Sequence, residues 1–191
     1  EVFVLGVTGT KGKSTVLELI NSILEGAGRK TALISSVRLK IDNFIRPNLT
    51  GMTMPGRFFI QRFMREAANK GCKYILVEVT SQGVLQHRHR FIDFDAAILT
   101  NLEAEHIEAH GSFENYRNSK VGFFDYAASR SKKNPKFFFI NSDARDSEYF
   151  LNVSKGKGHC IFYSKKDVSK IKIKTKLLGE FNLENIAGAV A

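Results

Sequence analysis

The chain has 191 residues, of which 43% are hydrophobic and 11% aromatic, and its formal net charge is +10. This length and composition are typical of one globular domain with one sizeable core. No apolar run is long enough to cross a bilayer, and the first residues resemble a core strand rather than a charged leader, so we expect a cytoplasmic protein without membrane contact.

The positive charge favours polyanionic partners such as phosphorylated ligands or nucleic acid. Much of it lies in the last third of the chain, where Lys170–Lys174 alternates lysine with isoleucine. This alternation predicts a strand with one solvated face, which we favour over a nucleic-acid groove. Cys72 and Cys160 are the only cysteines, too few for a disulfide framework or a zinc site.

The first predicted elements are a buried strand over Val2–Leu5, the glycine-bearing stretch Gly6–Thr15, and an amphipathic helix from Thr15 to Gly26. A strand, a turn and a helix in this order form a phosphate-binding loop, because the backbone N–H groups of the turn converge on an anion at the positive end of the helix. The alternative is a glycine-rich turn that only connects two elements.

The residues of this loop suit phosphate chemistry. Gly6, Gly9 and Gly12 are expected to adopt backbone dihedrals that other residues avoid. Lys13 would reach the terminal phosphates, and the hydroxyl of Ser14 would face magnesium. The spacing departs from the usual G-x-x-x-x-G-K-[ST] pattern, because the first glycine comes one residue early.

The next predicted elements are a strand over Thr31–Ser35, a long irregular connection over residues 37–57, a helix over Phe58–Lys70, and a buried strand over Lys73–Val79. That strand ends in Glu78, and ligands of open parallel sheets collect at the carboxyl ends of strands. A glutamate buried there requires a cation or a donor beside it. We favour a magnesium role for Glu78 over a structural salt bridge.

A further strand over Asp95–Leu99 is followed by Thr100–Gly111, where carboxylates and the imidazoles of His106 and His110 concentrate. The two histidines are four residues apart and could both lie on the surface of a short helix. Their position just after a strand assigns at least one of them to the site at this edge.

The remaining elements are a helix over Ser112–Ser129, strands over Phe137–Asn141 and Cys160–Tyr163, and a helix that begins at Phe181. Lys120 is unusual, because a lysine beside an aromatic stripe normally extends toward solvent. The alternation of strands and helices predicts an α/β fold with a P-loop and a mainly parallel, doubly wound sheet flanked by helices. This fold class allows a small antiparallel extension of the sheet.

Five separated blocks resemble the central ATP-binding domain of the Mur ligases, especially the MurE type, which adds the third amino acid of the peptidoglycan stem peptide. Together the blocks span nearly the whole chain. They are Gly9–Thr15, Thr53–Pro55, Glu78–Arg88, Thr100–Lys120 and Gly179–Asn185.

This resemblance implies an ATP site with two magnesium ions. Ser14 and Glu78 would hold the first ion, and Glu78 and His106 the second. Lys120 matches the carbamylated lysine of the family, whose carboxylate suits a magnesium site rich in oxygen ligands. The implied catalytic residues are Lys13, Glu78, His106 and Lys120. The implied ATP-binding residues are Gly9, Thr10, Lys11, Gly12, Lys13, Ser14, Thr15, Asn182 and Asn185.

The resemblance also implies a muramyl-substrate site. Arg88 is its candidate phosphate or carboxylate clamp, because a guanidinium can bind such groups bidentately. Met54, Gln82 and Glu105 depart from the family pattern, which has threonine, histidine and aspartate there. The implied substrate-binding residues are Thr53, Met54, Thr80, Ser81, Gln86 and Arg88.

The implied reaction is ATP-dependent amide formation on a UDP-N-acetylmuramoyl peptide, through an acyl phosphate that an incoming amino acid attacks. Full Mur ligases also have an N-terminal UDP-binding domain and a C-terminal amino-acid-binding domain. We expect neither within residues 1–191, and therefore expect this chain to bind ATP and magnesium but to ligate little by itself. We also expect a monomer. A folylpolyglutamate synthase-like ligase and a nucleotide-dependent nucleic-acid-binding module are the alternatives.

Overall fold

The computed structural model describes residues 1–105, 107–168, 177 and 179–191. The strands are β1 Phe3–Thr8, β2 Thr31–Ile34, β3 Arg38–Ile41, β4 Phe44–Pro47, β5 Tyr74–Glu78, β6 Ala96–Leu99, β7 Phe137–Asn141 and β8 His159–Tyr163. The helices are α1 Lys13–Gly26, α2 Arg57–Asn69, α3 Ser81–Leu85, α4 Ile107–His110, α5 Phe113–Arg130, α6 Ser147–Ser154, α7 Lys165–Val168 and α8 Glu180–Val190. The predicted strand over Lys170–Lys174 lies outside the described residues.

The strands form one sheet in the order β4-β3-β2-β5-β1-β6-β7-β8. All neighbouring pairs from β2 to β8 in that order are parallel, whereas β3 runs antiparallel to both β2 and β4. Helices α1 and α8 pack on one face, and helices α2, α5 and α6 pack on the other. The doubly wound, mainly parallel sheet with a small antiparallel extension is confirmed.

The expectation of an irregular connection over residues 37–57 was wrong for its first half. Strands β3 and β4 form a hairpin there, with Asp42 at its turn in a left-handed conformation, φ 53°. Both strands are short and all of β4 is exposed. Lys40 interrupts the apolar pattern of β3 although its side chain is buried. Its ammonium bonds the Thr31 hydroxyl at 2.7 Å and the Glu25 carboxylate at 2.8 Å.

Gly6 has a different role from the one expected. It lies inside strand β1, where a Cβ atom would approach the Phe123 ring to 2.4 Å. Only Gly9 and Gly12 of the three glycines adopt positive φ, at 148° and 78°. Gly6 therefore permits close packing of α5 on the sheet, while the unusual backbone belongs to the loop itself.

Other features of the fold agree with the sequence. The Ser112 hydroxyl caps α5 by accepting from the Asn115 N–H at 3.1 Å. Cys72 is buried, Cys160 is half-buried, and neither forms a disulfide. Within the described ranges, no helix combines the length and the apolar character needed to cross a membrane.

Candidate functional site

The phosphate-type loop connects β1 to α1 and leaves no room for side chains at its two glycines. A Cβ atom on Gly9 would lie 1.9 Å from the Thr100 hydroxyl, and one on Gly12 would lie 2.0 Å from the Asn185 side-chain oxygen. Among the described residues, no side chain caps α1, and its first turn contains no acidic residue. The positive end of the α1 dipole is therefore open to an anion.

Lys13 lies at the start of α1 and folds back over the loop. Its Nζ donates to the carbonyl oxygens of Gly9 at 3.0 Å and Thr10 at 2.9 Å. Burial lowers the pKa of this amine, and the carboxylates of Glu78 and Glu105 oppose that shift. A donor-only side chain is thus placed within the loop where phosphate oxygens would bind.

Glu78 ends strand β5, and its buried carboxylate accepts hydrogen bonds from α1 and from the connection after β2. Glu78 Oε2 accepts a hydrogen bond from the Ser14 hydroxyl at 2.9 Å and another from the Ser36 N–H at 2.8 Å. The hydroxyls of Ser14 and Ser36 are 3.0 Å apart. Glu78 has no ion-pair partner among the described residues. The cluster offers a carboxylate and two hydroxyls, a donor set that fits a hard divalent cation.

Lys120 is almost completely buried on α5, with a relative exposure of 1%. Its Nζ donates to the Gly9 carbonyl oxygen at 2.7 Å and lies 4.5 Å from the centroid of the Tyr116 ring. Burial lowers the pKa of this amine strongly, and the nearby charge of Lys13 lowers it further. The two lysine amines therefore meet at one carbonyl of the loop.

The loop is anchored to the segment that follows β6. The Asn101 side-chain oxygen accepts from the N–H groups of Thr10 at 3.1 Å and Lys11 at 2.8 Å. Lys11 Nζ forms ion pairs of 2.9 Å with both Glu103 and Glu105. These carboxylates raise the pKa of Lys11 through hydrogen bonds.

A second anchor comes from α5. The Tyr116 hydroxyl donates to the Thr10 hydroxyl oxygen at 3.1 Å, and that oxygen also accepts from the Glu103 N–H at 2.9 Å. The Thr100 hydroxyl donates to the Lys11 carbonyl oxygen at 2.7 Å. The backbone of the loop is therefore held in place before any ligand arrives.

The asparagines of α8 lie behind the loop. Asn185 donates from its side-chain nitrogen to the Asn182 side-chain oxygen at 3.1 Å, and both residues are buried. Because the Asn185 oxygen lies where a Gly12 side chain would be, it is next to the loop backbone. Thr15 is half-buried in the first turn of α1. The structure thus brings the predicted nucleotide-binding residues to one edge of the sheet.

The predicted substrate residues form a second group around α3. The Thr80 hydroxyl caps α3 by accepting from the Gly83 N–H at 3.0 Å, and Ser81 Oγ lies 3.1 Å from His110 Nε2. Ser81 and His110 are both buried. His110 is thus the histidine of the pair that the structure places inside the fold, while His106 lies outside the described residues.

The loop with Met54 packs against the same helix. Met54 is fully buried, and a Cβ atom on Gly83 would lie 2.7 Å from its sulfur. Arg88 donates to the Met54 carbonyl oxygen at 2.6 Å and to the Gln86 side-chain oxygen. Thr53 is half-buried and Gln86 is exposed. In this structure the Arg88 guanidinium ties the Met54 loop to the end of α3.

Sequence reasoning missed Ser36, and it included Asn101 and Glu103 only in the segment Thr100–Gly111, without a role for either residue. Ser36, Asn101 and Glu103 each follow the carboxyl end of a strand, β2 or β6. That position was the available signal, because the strand order brings these ends beside β1 and β5. Among the described residues, no three His, Cys, Asp or Glu side chains cluster closely enough to hold a metal by themselves.

Comparisons with known proteins agree with this geometry. The family model described as Mur ligase middle domain matches residues 7–191. The chain is 30% identical over 211 residues to a UDP-N-acetylmuramoyl-L-alanyl-D-glutamate–2,6-diaminopimelate ligase of Geobacillus kaustophilus, covering 98% of this chain and 42% of the relative. It is 34% identical over 209 residues to UDP-N-acetylmuramyl-tripeptide synthetase 2 of Oceanobacillus iheyensis, again covering 98% and 42%.

The chain thus spans well under half the length of these curated relatives. A solved structure of a UDP-N-acetylmuramoyl-L-alanyl-D-glutamate–2,6-diaminopimelate ligase is similar in fold, with a TM-score of 0.82 and 22% identity over 99% of this chain and 42% of that one. The match of the family model over residues 7–191 shows that the chain belongs to the Mur ligase family and contains its middle domain.

Proposed function

We propose that this chain is the nucleotide-binding part of an ATP-dependent ligase that adds an amino acid to a UDP-N-acetylmuramoyl peptide in peptidoglycan precursor synthesis. The observation that carries the proposal is the meeting of Lys13, Lys120 and the Ser14–Glu78 pair around one glycine loop. The substrate class comes from the names of the relatives, which are a diaminopimelate ligase and a tripeptide synthetase.

The loop would bind the phosphates of ATP. Its backbone is already fixed by Asn101, Tyr116 and Thr100, so little ordering is required when the nucleotide arrives. Lys13 would exchange the carbonyl oxygens of Gly9 and Thr10 for phosphate oxygens, which are the stronger acceptors because they are charged. Positioning and charge stabilisation are what a phosphoryl transfer requires most from a protein.

Ser14 and Glu78 would hold one magnesium ion, and Glu78 and His106 a second. When bound, magnesium supplies charge neutralisation for the transferring phosphoryl group. The carboxylate of Glu78 and the hydroxyl of Ser14 already share a hydrogen bond at 2.9 Å, so the oxygen ligands are assembled in advance. Ser36 would hold Glu78 in this orientation through its backbone N–H.

Lys120 would act as a carbamate formed with carbon dioxide. Burial disfavours the charged ammonium, and the uncharged amine is the form that attacks carbon dioxide. The product is a carboxylate-like group with oxygen ligands for magnesium. The carbamate would explain why a second lysine is buried beside Lys13, with both amines at the Gly9 carbonyl oxygen.

In the proposed reaction, the substrate carboxylate takes the γ-phosphoryl group of ATP to give an acyl phosphate and ADP. The amino group of the incoming amino acid then displaces phosphate and forms the amide bond. The α3 region with Thr80, Ser81 and Gln86, together with the Thr53–Met54 loop and Arg88, would face the muramyl peptide. We further propose that the chain acts in the cytoplasm as a monomer, and that residues 1–191 alone bind ATP without efficient ligation.

The test is calorimetric titration of the chain with ATP and magnesium. We expect saturable binding that weakens about tenfold to a hundredfold in Lys13→Ala, because hydrogen bonds to charged groups contribute about 1.5–3 kcal/mol. Lys155→Ala is the matched control, since Lys155 is an exposed lysine after α6. Equal affinity in Lys13→Ala and Lys155→Ala would overturn the nucleotide assignment.

The acceptor is tested separately. With magnesium and ATP present, we expect tighter binding of a UDP-N-acetylmuramoyl dipeptide than of a folate. The opposite preference would favour the folylpolyglutamate synthase-like alternative. Steeply salt-dependent binding of DNA would instead favour the nucleic-acid-binding module.

A further inference from the structure

The Thr8 hydroxyl is buried at the end of β1 and lacks a hydrogen-bond partner. Thr8 has a relative exposure of 0%, and its Oγ1 finds no partner among the described residues. Buried hydroxyls in folded proteins are normally paired, and an unpaired one costs free energy. Thr8 immediately precedes the loop that Lys13 and Lys120 contact through Gly9. A group bound at this loop could therefore be the missing partner of the Thr8 hydroxyl.

The direction of the Thr8 side chain follows from the alternation along β1. Val4 packs in the core that contains α5, and a Cβ atom on Gly6 would meet the Phe123 ring of α5 at 2.4 Å. Thr8 is the next residue of the same series. The Thr8 side chain therefore lies on the face of the sheet covered by α5, the helix that carries Lys120.

Lys120 reaches the backbone next to Thr8. It lies one turn before Phe123 on α5 and donates to the carbonyl oxygen of Gly9, the residue directly after Thr8. The ammonium of lysine has only donor protons. A carbamate at this position has acceptor oxygens and a negative charge, and such a charge is stable in a buried site only when donors surround it.

We propose that the Thr8 hydroxyl is a positioning residue that donates a hydrogen bond to the carbamate of Lys120. This inference rests on the proposed function, because it requires the modified lysine. The carbamate forms when the lone pair of the uncharged amine attacks the carbon of carbon dioxide. A C–N bond forms, one C=O π pair moves onto oxygen, and one N–H proton leaves to solvent, without any change of oxidation state.

The hydrogen bond holds one carboxylate oxygen and leaves the other available to a cation. The hydrogen bond also explains why position 8 has threonine, with a buried hydroxyl, rather than valine, which has a methyl group in its place. Replacing the unpaired hydroxyl with a methyl group removes its desolvation penalty in the unmodified protein. Thr8→Val is therefore expected to be more stable than the wild type without carbon dioxide, yet to carry less carbamate with it.

The test is carbon NMR of the chain in buffer with ¹³C-labelled bicarbonate, with the carbamate signal assigned by its loss in Lys120→Gln. We expect Thr8→Val to require about tenfold more carbon dioxide than the wild type for half occupancy, from the strength of a hydrogen bond to a charged group. Thr8→Ser keeps the hydroxyl and should retain near wild-type occupancy. Thermal unfolding without carbon dioxide checks that each variant is folded.

The outcomes separate this inference from the function on which it rests. Equal occupancy in the wild type and Thr8→Val would overturn the role of Thr8 and leave the carbamate intact. Loss of the signal in both Thr8→Val and Thr8→Ser would overturn it as well, because the hydroxyl would then not be what matters. No carbamate in the wild type at any carbon dioxide concentration would remove both the modification and the role of Thr8, while ATP binding would remain as a separate measurement.

Discussion

At the scale of single residues, Gly12 combines two constraints that can be separated by mutation. Its backbone is left-handed, with φ 78°, and a Cβ atom would lie 2.0 Å from the Asn185 oxygen. Gly28 has a similar φ of 73°, but no described atom lies within 4 Å of the position of its Cβ atom. The two glycines therefore differ mainly in steric contact.

We predict that Gly12→Ala destabilises the chain by at least about 2 kcal/mol more than Gly28→Ala. Both variants carry the strain of a left-handed alanine, about 1–2 kcal/mol, but only Gly12→Ala must also displace Asn185. Denaturant unfolding measures the difference. Similar losses in the two variants would show that Asn185 does not limit the loop.

His89 is a buried imidazole whose charge depends on folding. It lies edge-on to the Tyr126 ring with 4.7 Å between centroids. Burial, followed by the charges of His87 and Arg90, lowers the pKa of His89 from 6.5 to about 4. Between these values the unfolded chain binds more protons than the folded chain, so the folded state is fully favoured above pH 6.5 and loses stability as the pH falls to 4.

We predict that His89 lowers the free energy of unfolding by up to about 3 kcal/mol as the pH falls from 6.5 to about 4. In His89→Phe the contribution should be absent, so the stability difference between wild type and variant should change with pH. Denaturant unfolding at several pH values measures it, with the exposed His159→Gln as control. Parallel stability profiles of wild type and His89→Phe would refute the role of His89.

At the scale of elements, the β3–β4 hairpin is attached to the sheet through a buried polar group. The Lys40 side chain is 2% exposed and its ammonium bonds Thr31 and Glu25, whereas Lys30 forms a pair with Asp42 at 2.9 Å on the surface. Removing the Lys40 ammonium leaves the buried Thr31 hydroxyl oxygen without this donor, whereas Glu25, whose side chain is 42% exposed, can be solvated. Exposed pairs contribute little.

We predict that Lys40→Met destabilises the chain by about 1–3 kcal/mol, whereas Lys30→Met changes stability by less than about 1 kcal/mol. Thermal or denaturant unfolding of both variants gives the comparison. A loss in Lys30→Met as large as that in Lys40→Met would mean that the buried network does not anchor the hairpin.

The same hairpin shows where sequence patterns are insufficient. The parallel strands were predictable because each is an apolar run bounded by glycine or polar residues, and the inner ones, β1, β5 and β6, are buried along nearly their whole length. Strands β3 and β4 were missed because Arg38, Lys40 and Arg46 interrupt their apolar residues, whereas the equally short β2 and β6 contain no charged residue. Only the buried partners of Lys40, distant in sequence, make its inward direction favourable.

At the scale of the whole molecule, the site is a product of strand order. Residues 9–15 were predictable as one phosphate-binding motif, because its glycines, lysine and serine are close together in the sequence. Ser36, Asn101 and Glu103 join them only because β2 and β6 end beside β5 and β1. Gly6 shows the reverse case. The sequence motif places it in the loop, but its lack of a side chain is required by Phe123, which is distant in sequence.

The central claim is that the β1–α1 loop and the end of β5 form one site for ATP and magnesium. The most direct test is the ATP affinity of the wild type and of Glu78→Gln, each measured with and without magnesium, with the exposed Glu66→Gln as control. We predict that magnesium strengthens ATP binding in the wild type and in Glu66→Gln, but has little effect in Glu78→Gln, which keeps its shape and loses its charge. A magnesium effect of the same size in Glu78→Gln, or no ATP binding by the wild type, would contradict the account.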